Sequence, residues 1–491
     1  MRRISLLAPV LLVAALPLAP AAAAGPAIRG DFNGDGHVDL AIGAPHEAIG
    51  ERKGAGAVNV LYGTATGFRT SGAQPWHQNV AGVHGGAEAF DGFGAALTSG
   101  DFDGDGYADL AIGAPTEDYT DNDRYRRDMG VTHVLYGSPS GLTAAGNQLF
   151  AGGESPMGGA RGGHALDVGD FDDNGIDDLA IGVPGAGATG EVHVQYGSPN
   201  GLGRRAVFGA PNDGVQIDRY GWAIAAGDLD GNGVDDLAVG APTRTAVTGG
   251  PVRAAGTVYV LFGSAGSGLA STGFATIDQN TDGVADAPED FDLFGEAVAT
   301  GDFDGDGKTD LAIGVPGEHG GTGAVHVLEG SASGPTGTDS AFLFRGGGGL
   351  PGPAAAGTGL GSILAAGNVD FTDDAAELVL GAPKDDVSGA VDGGSITIVS
   401  TNDGARLMHQ NSEGVPGGAE EGDWFGHAVA VTARGDLLVG VPREDLGRKY
   451  SAGAVHAMWF GTTVRNVMLT QDTPGVPGVA ENGDWFGGAV S

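Results

Sequence analysis

The sequence predicts an all-β, seven-bladed β-propeller of four-stranded antiparallel blades, and three observations lead to it. One unit of sequence recurs along most of the 491 residues. Each copy reads as four short strands. The two ends of the chain carry complementary fragments of one further copy.

The unit is clearest at 93–137, where FGAALTSGDFDGDGYADLAIGAP is followed by a variable loop and then GVTHVLYG. The same order returns from Gly162, Tyr220, Phe294, Leu360 and Phe425. The first predicted strand contains the FG pair, as at 294–300. The second is DLAIG, as at 310–314. The third, at 324–328, alternates apolar and polar residues, the period of a pleated strand. The fourth follows a turn such as Gly137-Ser138-Pro139-Ser140-Gly141. Units of this size with four antiparallel strands suggest radial blades rather than a solenoid.

Six units are complete. The N-terminal copy begins near Gly30 without its opening, and the last six residues, FGGAVS at 486–491, are an opening without a continuation. Together they make a seventh blade, whose inner strand closes the ring and removes exposed sheet edges. The phrase before that fragment, Glu481-Asn482-Gly483-Asp484-Trp485, duplicates Glu421-Gly422-Asp423-Trp424 before a complete unit. The expected organisation is a leader at 1–24 and one propeller at 25–491.

The leader is read from Arg2 and Arg3, an apolar run at 4–18, and Ala22 and Ala24 just before Gly25. This is the pattern of a secretory signal peptide, and the run is shorter than the roughly 20 residues a membrane span needs. A secreted, extracellular protein without a membrane span is expected. Composition agrees with that. There is no cysteine, so disulfides and thiolate metal sites are excluded. The 95 glycines fall at fixed places in the repeat and mark turns. A net charge of -38 argues against nucleic acid and anionic lipid as partners and favours cations.

Five units carry the pattern D-x-[DN]-x-[DN]-G-x-x-D between the first and second strands. The candidate metal ligands are Asp31, Asn33, Asp35, His37 and Asp39 in the first; Asp101, Asp103, Asp105, Tyr107 and Asp109 in the second; and Asp170, Asp172, Asn174, Ile176 and Asp178 in the third. Asp228, Asp230, Asn232, Val234 and Asp236 form the fourth set, and Asp302, Asp304, Asp306, Lys308 and Asp310 the fifth. Calcium takes six to eight oxygens at roughly 2.3–2.6 Å, and short side chains at positions 1, 3 and 5 of a tight loop can converge on it. Position 6 is glycine in all five, as a sharp turn requires. Position 7 varies freely, as expected if only its carbonyl is used. Position 9 is always aspartate and closes the shell. An EF-hand would need a longer loop ending in glutamate between helices; here the loop runs directly into a strand. About five Ca2+ ions are expected. With a Kd of about 10⁻⁴ M and about 1 mM calcium, each ion contributes roughly 1.4 kcal/mol, so the metals are read as structural.

The remaining two complete units depart from this. The sixth, at 368–377, lacks the glycine and has an extra residue, which makes it a doubtful site. The seventh replaces the loop with Thr432-Ala433-Arg434-Gly435-Asp436, a hairpin with no metal set.

The pairing of FG with a later GAP, at 43–45, 113–115, 240–242 and 381–383, resembles the FG-GAP repeat of integrin α-subunit heads. That resemblance implies a seven-bladed propeller, in agreement with the count, together with calcium binding and often adhesion. The chain has no counterpart of integrin leg domains, of an inserted domain or of a transmembrane helix. GPI-cleaving phospholipases carry similar repeats, but their catalytic portion has no counterpart here.

A secreted binding or adhesion module with an extracellular protein or glycan ligand is the leading expectation. The alternative is a carbohydrate-active propeller, either a lectin or an enzyme that cleaves polysaccharides or esters. No nucleophile elbow, zinc motif or phosphate loop is found, so no catalytic residue is assigned and a non-enzyme is expected. Nothing singles out carboxylate pairs such as Asp290 and Asp292. The free rim should be formed by loops after GAP, long or charged at 116–129, 243–255 and 443–452, and by the acidic loops before FG at 414–420 and 475–481. Trp424 and Trp485 end the latter, and packing between blades is their plainer role. His133, His193 and His326 share one third-strand register as fillers of a solvent or blade face. The two Arg-Gly-Asp triplets, 29–31 and 434–436, are read as products of the repeat rather than as adhesion signals.

Overall fold

Seven four-stranded antiparallel sheets make up the computed structural model, which describes residues 28–491 apart from 122–123, 154–157, 211–217, 248–250, 370–374, 402 and 461–464. The leader expected at 1–24 lies outside the described residues. In blade 5 the strands are Val298–Gly301, Asp310–Val315, Ala324–Glu329 and Thr336–Phe344, paired in chain order from the central axis outward. The other blades repeat this order. The second strand is buried at every position because neighbouring blades cover both its faces, which explains its unbroken small and apolar sequence. The outermost strand keeps the alternating pattern of one covered and one solvated face.

Blade 1 joins Leu40–Ala44, Ala57–Thr64 and Gly67–Trp76 to the C-terminal Ala489–Val490. Ile42 lies opposite Val490 and Gly43 opposite Ala489, and Ala41 and Ser491 exchange backbone hydrogen bonds of 2.8 and 3.1 Å. Phe486 is fully buried among Leu40, Ile42, Leu438 and Val455, so the chain end belongs to the core at the ring's closure.

One expectation needs correction. The FG pair does not lie in the first strand but forms the turn before it: in blade 5 the strand begins only at Val298. Gly295 has φ +86°, which breaks the pleat. The pair instead staples two blades together. Phe294 N–H donates to Ala255 of the preceding blade (2.8 Å), while Gly295 N–H donates to Gly314 of its own (3.0 Å). The Gly295 carbonyl also lies so close to Gly240, the GAP glycine of the preceding blade, that a Cβ there would stand 2.1 Å from it. The relation recurs between Gly43 and the Gly94 carbonyl, and between Gly440 and the Gly487 carbonyl, again at 2.1 Å. FG and GAP are therefore two halves of one contact between adjacent blades, and Phe93, Phe294, Phe425 and Phe486 are fully buried in it.

The third-strand histidines face this same seam rather than solvent. His133, His193, His326 and His456 are at most 2 % exposed. Phe93 meets His133 edge-on at 5.1 Å, Phe425 meets His456 at 5.5 Å, and Phe342 stacks on His326 at 4.5 Å.

The aspartate loops join first to second strands at one rim. The loops after GAP and before FG gather at the other rim, and two of them carry small hairpins, Tyr119–Asp121 with Arg124–Arg126 and Ala246–Val247 with Pro251–Val252. Inner strands rich in alanine and glycine leave a central channel of about 610 Å³.

Candidate metal centres and the opposite rim

Each aspartate loop is organised by its own first and last carboxylates. In the second loop Asp101 Oδ1 accepts Asp105 N–H (3.1 Å) and Oδ2 accepts Gly106 N–H (3.0 Å). The first, third, fourth and fifth loops make the same pair of bonds from Asp31, Asp170, Asp228 and Asp302, at 2.8–3.1 Å. The position-6 glycines all have positive φ, between 81° and 92°. Position 4 is also left-handed in every loop, at Gly34, Gly104, Asp173, Gly231 and Gly305. The sequence signal for it was visible, since only glycine or aspartate occurs there.

Position 9 does more than close a shell. Asp109 is buried; its Oδ2 accepts Phe102 N–H (2.9 Å) and its Oδ1 accepts Gly137 N–H (2.8 Å) at the end of the third strand. Asp39, Asp178, Asp236 and Asp310 tie their loops to the same two places in their own blades. This aspartate fastens the loop to the sheet.

The carboxylates converge. Oxygens of Asp101, Asp103 and Asp109 lie within 4.8 Å of one another, as do those of Asp170, Asp172 and Asp178, and of Asp228, Asp230 and Asp236. Burial, reinforced by the neighbouring acids, raises Asp109 to about 8 and Asp39, Asp178 and Asp236 to about 7; Asp103 rises to about 6. Several carboxylates are thus held at short range where their own repulsion opposes ionisation. An all-oxygen set of this kind suits a hard divalent cation, whose charge would offset both burial and repulsion. The residues present fit the group. At position 7 of the fifth loop, Lys308 pairs its ammonium with Asp306. Arg204 pairs with Asp172 at 3.1 Å.

One further acid escaped the sequence reading. Glu329 ends the third strand of blade 5, where the other four blades with aspartate loops have Tyr62, Tyr136, Tyr196 and Phe262 before the glycine. Burial and the charges of Asp310 and Asp304 raise it to about 7, which places it at the fifth loop.

In the sixth blade, 370–374 lie outside the described residues. The longer Glu377 accepts Val369 N–H (2.7 Å), taking the fastening role of position 9 across the extra residue. In the seventh, Asp436 stands at position 9 and Arg434 binds it through Nε (2.9 Å), so a guanidinium supplies positive charge where the other blades converge acids. Both Arg-Gly-Asp triplets are consumed by the fold: Asp31 is buried at position 1 and Asp436 is buried under its own arginine.

The opposite rim is aromatic. A groove of about 480 Å³ between blades 1 and 2 is lined by His46, Phe90, Arg127, Asp128, His427 and Trp485, among others. Trp485 stacks on His46 at 4.2 Å and meets Trp424 edge-on at 5.7 Å, and Arg443 lies over Trp424 at 4.4 Å. The two tryptophans therefore pack between blades and also line a surface. Phe90 is 70 % exposed with φ +71°, and its counterpart Phe291 is 59 % exposed with φ +72°. Bulky side chains at positive φ are strained, and such strain collects at functional sites. Asp290 and Asp292 diverge: the first accepts Arg253 N–H in an exposed loop, and the second is buried at a blade junction.

Blades stapled by FG against GAP, with an aspartate loop between, define an FG-GAP repeat propeller. Segments 29–61, 93–126, 162–194, 220–261 and 294–328 match the FG-GAP repeat family, so the chain carries five FG-GAP repeats. The matched segments are the five blades with aspartate loops; the two divergent blades fall outside them. The chain is similar to mouse phosphatidylinositol-glycan-specific phospholipase D, 35 % identical over 30 % of this chain and 18 % of that protein. It is similar to integrin alpha-PS2 of Drosophila melanogaster, 34 % identical over 44 % of this chain and 15 % of that one, and to integrin alpha-5 of Xenopus laevis, 33 % identical over 36 % and 16 %. The chain spans less than a fifth of the length of these relatives. Among the described residues no helix is long and apolar enough to cross a membrane.

Proposed function

We propose that this chain is a secreted, calcium-braced binding module of adhesion type, with its metals on one rim and its ligand surface on the other. The observation that carries the reading is the set of five loops with one geometry, each fastening buried carboxylates to its blade. The similarity to integrin alpha subunits supports an adhesion-type role, and the leader pattern at 1–24 supports secretion. Calcium is the cation best suited to the all-oxygen donors, with Asp101, Asp103 and Asp105 and the Tyr107 carbonyl holding it in the second loop and Asp109 behind them. It supplies charge compensation that stiffens the blade.

The strained, exposed Phe90, which lines the groove between blades 1 and 2 with Trp485, supports that groove as the ligand surface, which suits an extracellular protein or glycan with an apolar face. The role is binding rather than catalysis. The test is a panel of extracellular matrix proteins and a glycan array, probed with the parent chain and Phe90→Ala, with and without calcium, beside a polysaccharide degradation screen. The reading expects a ligand that Phe90→Ala loses while folding normally. Turnover of a polysaccharide would replace it with the carbohydrate-active alternative.

A further inference from the structure

A second family of acidic clusters lies at the junctions between blades, on the rim away from the aspartate loops. At the junction of blades 4 and 5, Gln279 follows the outer strand Ala275–Ile277, Asp292 precedes the FG pair, and Glu318 follows the GAP-like turn; all three are at most 4 % exposed. Glu289, three residues before Asp292, joins them, so that oxygens of Glu289, Asp292 and Glu318 lie within 4.8 Å of one another. The Gln279 carboxamide sits against this cluster, with Nε2 donating to Glu318 Oε2 at 2.8 Å.

The same arrangement recurs three times. The carboxamides of Gln78, Gln410 and Gln471 donate to Glu117, Glu444 and Glu47 at 2.5–2.6 Å, each beside a buried aspartate with a glutamate three residues before it. In all four copies the glutamine Oε1 is buried and has no hydrogen-bond partner among the described residues. Leaving a buried carbonyl oxygen unpartnered is costly, and here the cost recurs four times beside carboxylates that repel one another. A cation coordinated by the carbonyl and the carboxylates would relieve both.

The other three junctions act as internal controls. Where blade 5 meets blade 6, the glutamine position holds Arg345, which is 2 % exposed and binds Asp385 at 2.8 Å, and the aspartate position holds Thr358. Where blade 3 meets blade 4, the glutamate position holds Arg244, which binds Asp218 at 2.8 Å. Where blade 2 meets blade 3, the three positions are Gly152, Ala160 and Ala186, with no charge at all. An arginine thus stands within the set at two of the three junctions that lack the full acidic complement, whereas at the junction of blades 6 and 7 Arg443 lies outside the set, over Trp424 and near Asp423. Arg434 likewise stands within its loop on the other rim.

We infer that these four junctions are divalent-cation sites, each built from a buried glutamine carbonyl, an aspartate and two glutamates, which lock neighbouring blades together. The donors are all oxygen and the cluster takes Ca2+ in preference to softer metals. Native mass spectrometry of the full chain loaded with calcium alone tests this through two single variants. Glu318→Gln should lower the bound-ion count by one. Gln279→Arg, which copies the Arg345 arrangement, should also lower it by one, and should leave the chain folded in chelator. An unchanged count in Gln279→Arg, or in a folded Glu318→Gln, overturns the proposal and assigns the clusters to carboxyl groups sharing a proton. Asp306→Ala, which alters only an aspartate loop, reports on the loops separately.

Discussion

Asp105 and Asp109 lie in one loop, yet their replacement by alanine should have different consequences. Asp105 is exposed, and its side chain accepts Tyr107 N–H at 3.0 Å. Asp105→Ala should therefore remove the ion and little else: about 1.4 kcal/mol at about 1 mM calcium if Kd is about 10⁻⁴ M. In chelator it should cost at most about 1 kcal/mol, the worth of one solvent-exposed hydrogen bond. Asp109 is buried and satisfies two buried N–H groups, those of Phe102 and Gly137. Orphaning each costs about 1–3 kcal/mol, so Asp109→Ala should lose about 2–6 kcal/mol even in chelator, and the calcium term in addition. Urea denaturation in EDTA and in calcium, followed by tryptophan fluorescence, separates the two. Equal losses for Asp105→Ala in both conditions, or a benign Asp109→Ala in EDTA, would refute the division into metal ligand and fastener.

Deleting 486–491 should remove the inner strand of blade 1 and the buried Phe486, costing at least the roughly 3–5 kcal/mol of a Phe→Ala change in a core, and a calorimetric melt reads it directly. His326 is buried against Phe342, and burial lowers its pKa to about 4, against 6.5 when unfolded. The unfolded chain therefore binds the extra proton below about pH 6.5, and stability falls as pH drops from there toward the folded value, by about 2 kcal/mol at pH 5. His326→Leu should remove that loss, so the gap between its stability and the parent's, measured in urea at pH 7.5 and pH 5, should shift in its favour at the lower pH.

The blade count and the aspartate loops were legible because the repeat prints the same local chemistry many times and loop ligands are close in sequence. The FG pair was misplaced because its role is a contact between blades. Phe294 bonds Ala255 and the Gly295 carbonyl abuts Gly240, and neither relation leaves a local strand signal. The histidines were left between solvent and blade for the same reason, since alternation in a third strand does not say that both faces are covered. Glu329 was readable only as the acid that replaces an aromatic residue before a strand-ending glycine. The junction clusters were hidden because Gln279, Asp292 and Glu318 are distant in sequence and meet only when the ring places one blade's exit beside the next blade's entrance.

The central claim is that the five aspartate loops hold calcium, and anomalous scattering from a crystal grown in calcium tests it most directly. An anomalous peak is expected in each loop, about 2.3–2.6 Å from the oxygens of positions 1, 3 and 5 and from the position-7 carbonyl, as at Asp101, Asp103, Asp105 and Tyr107. Loops that keep their hydrogen bonds but hold only water, with no anomalous signal, would contradict it and leave them as repeated turns.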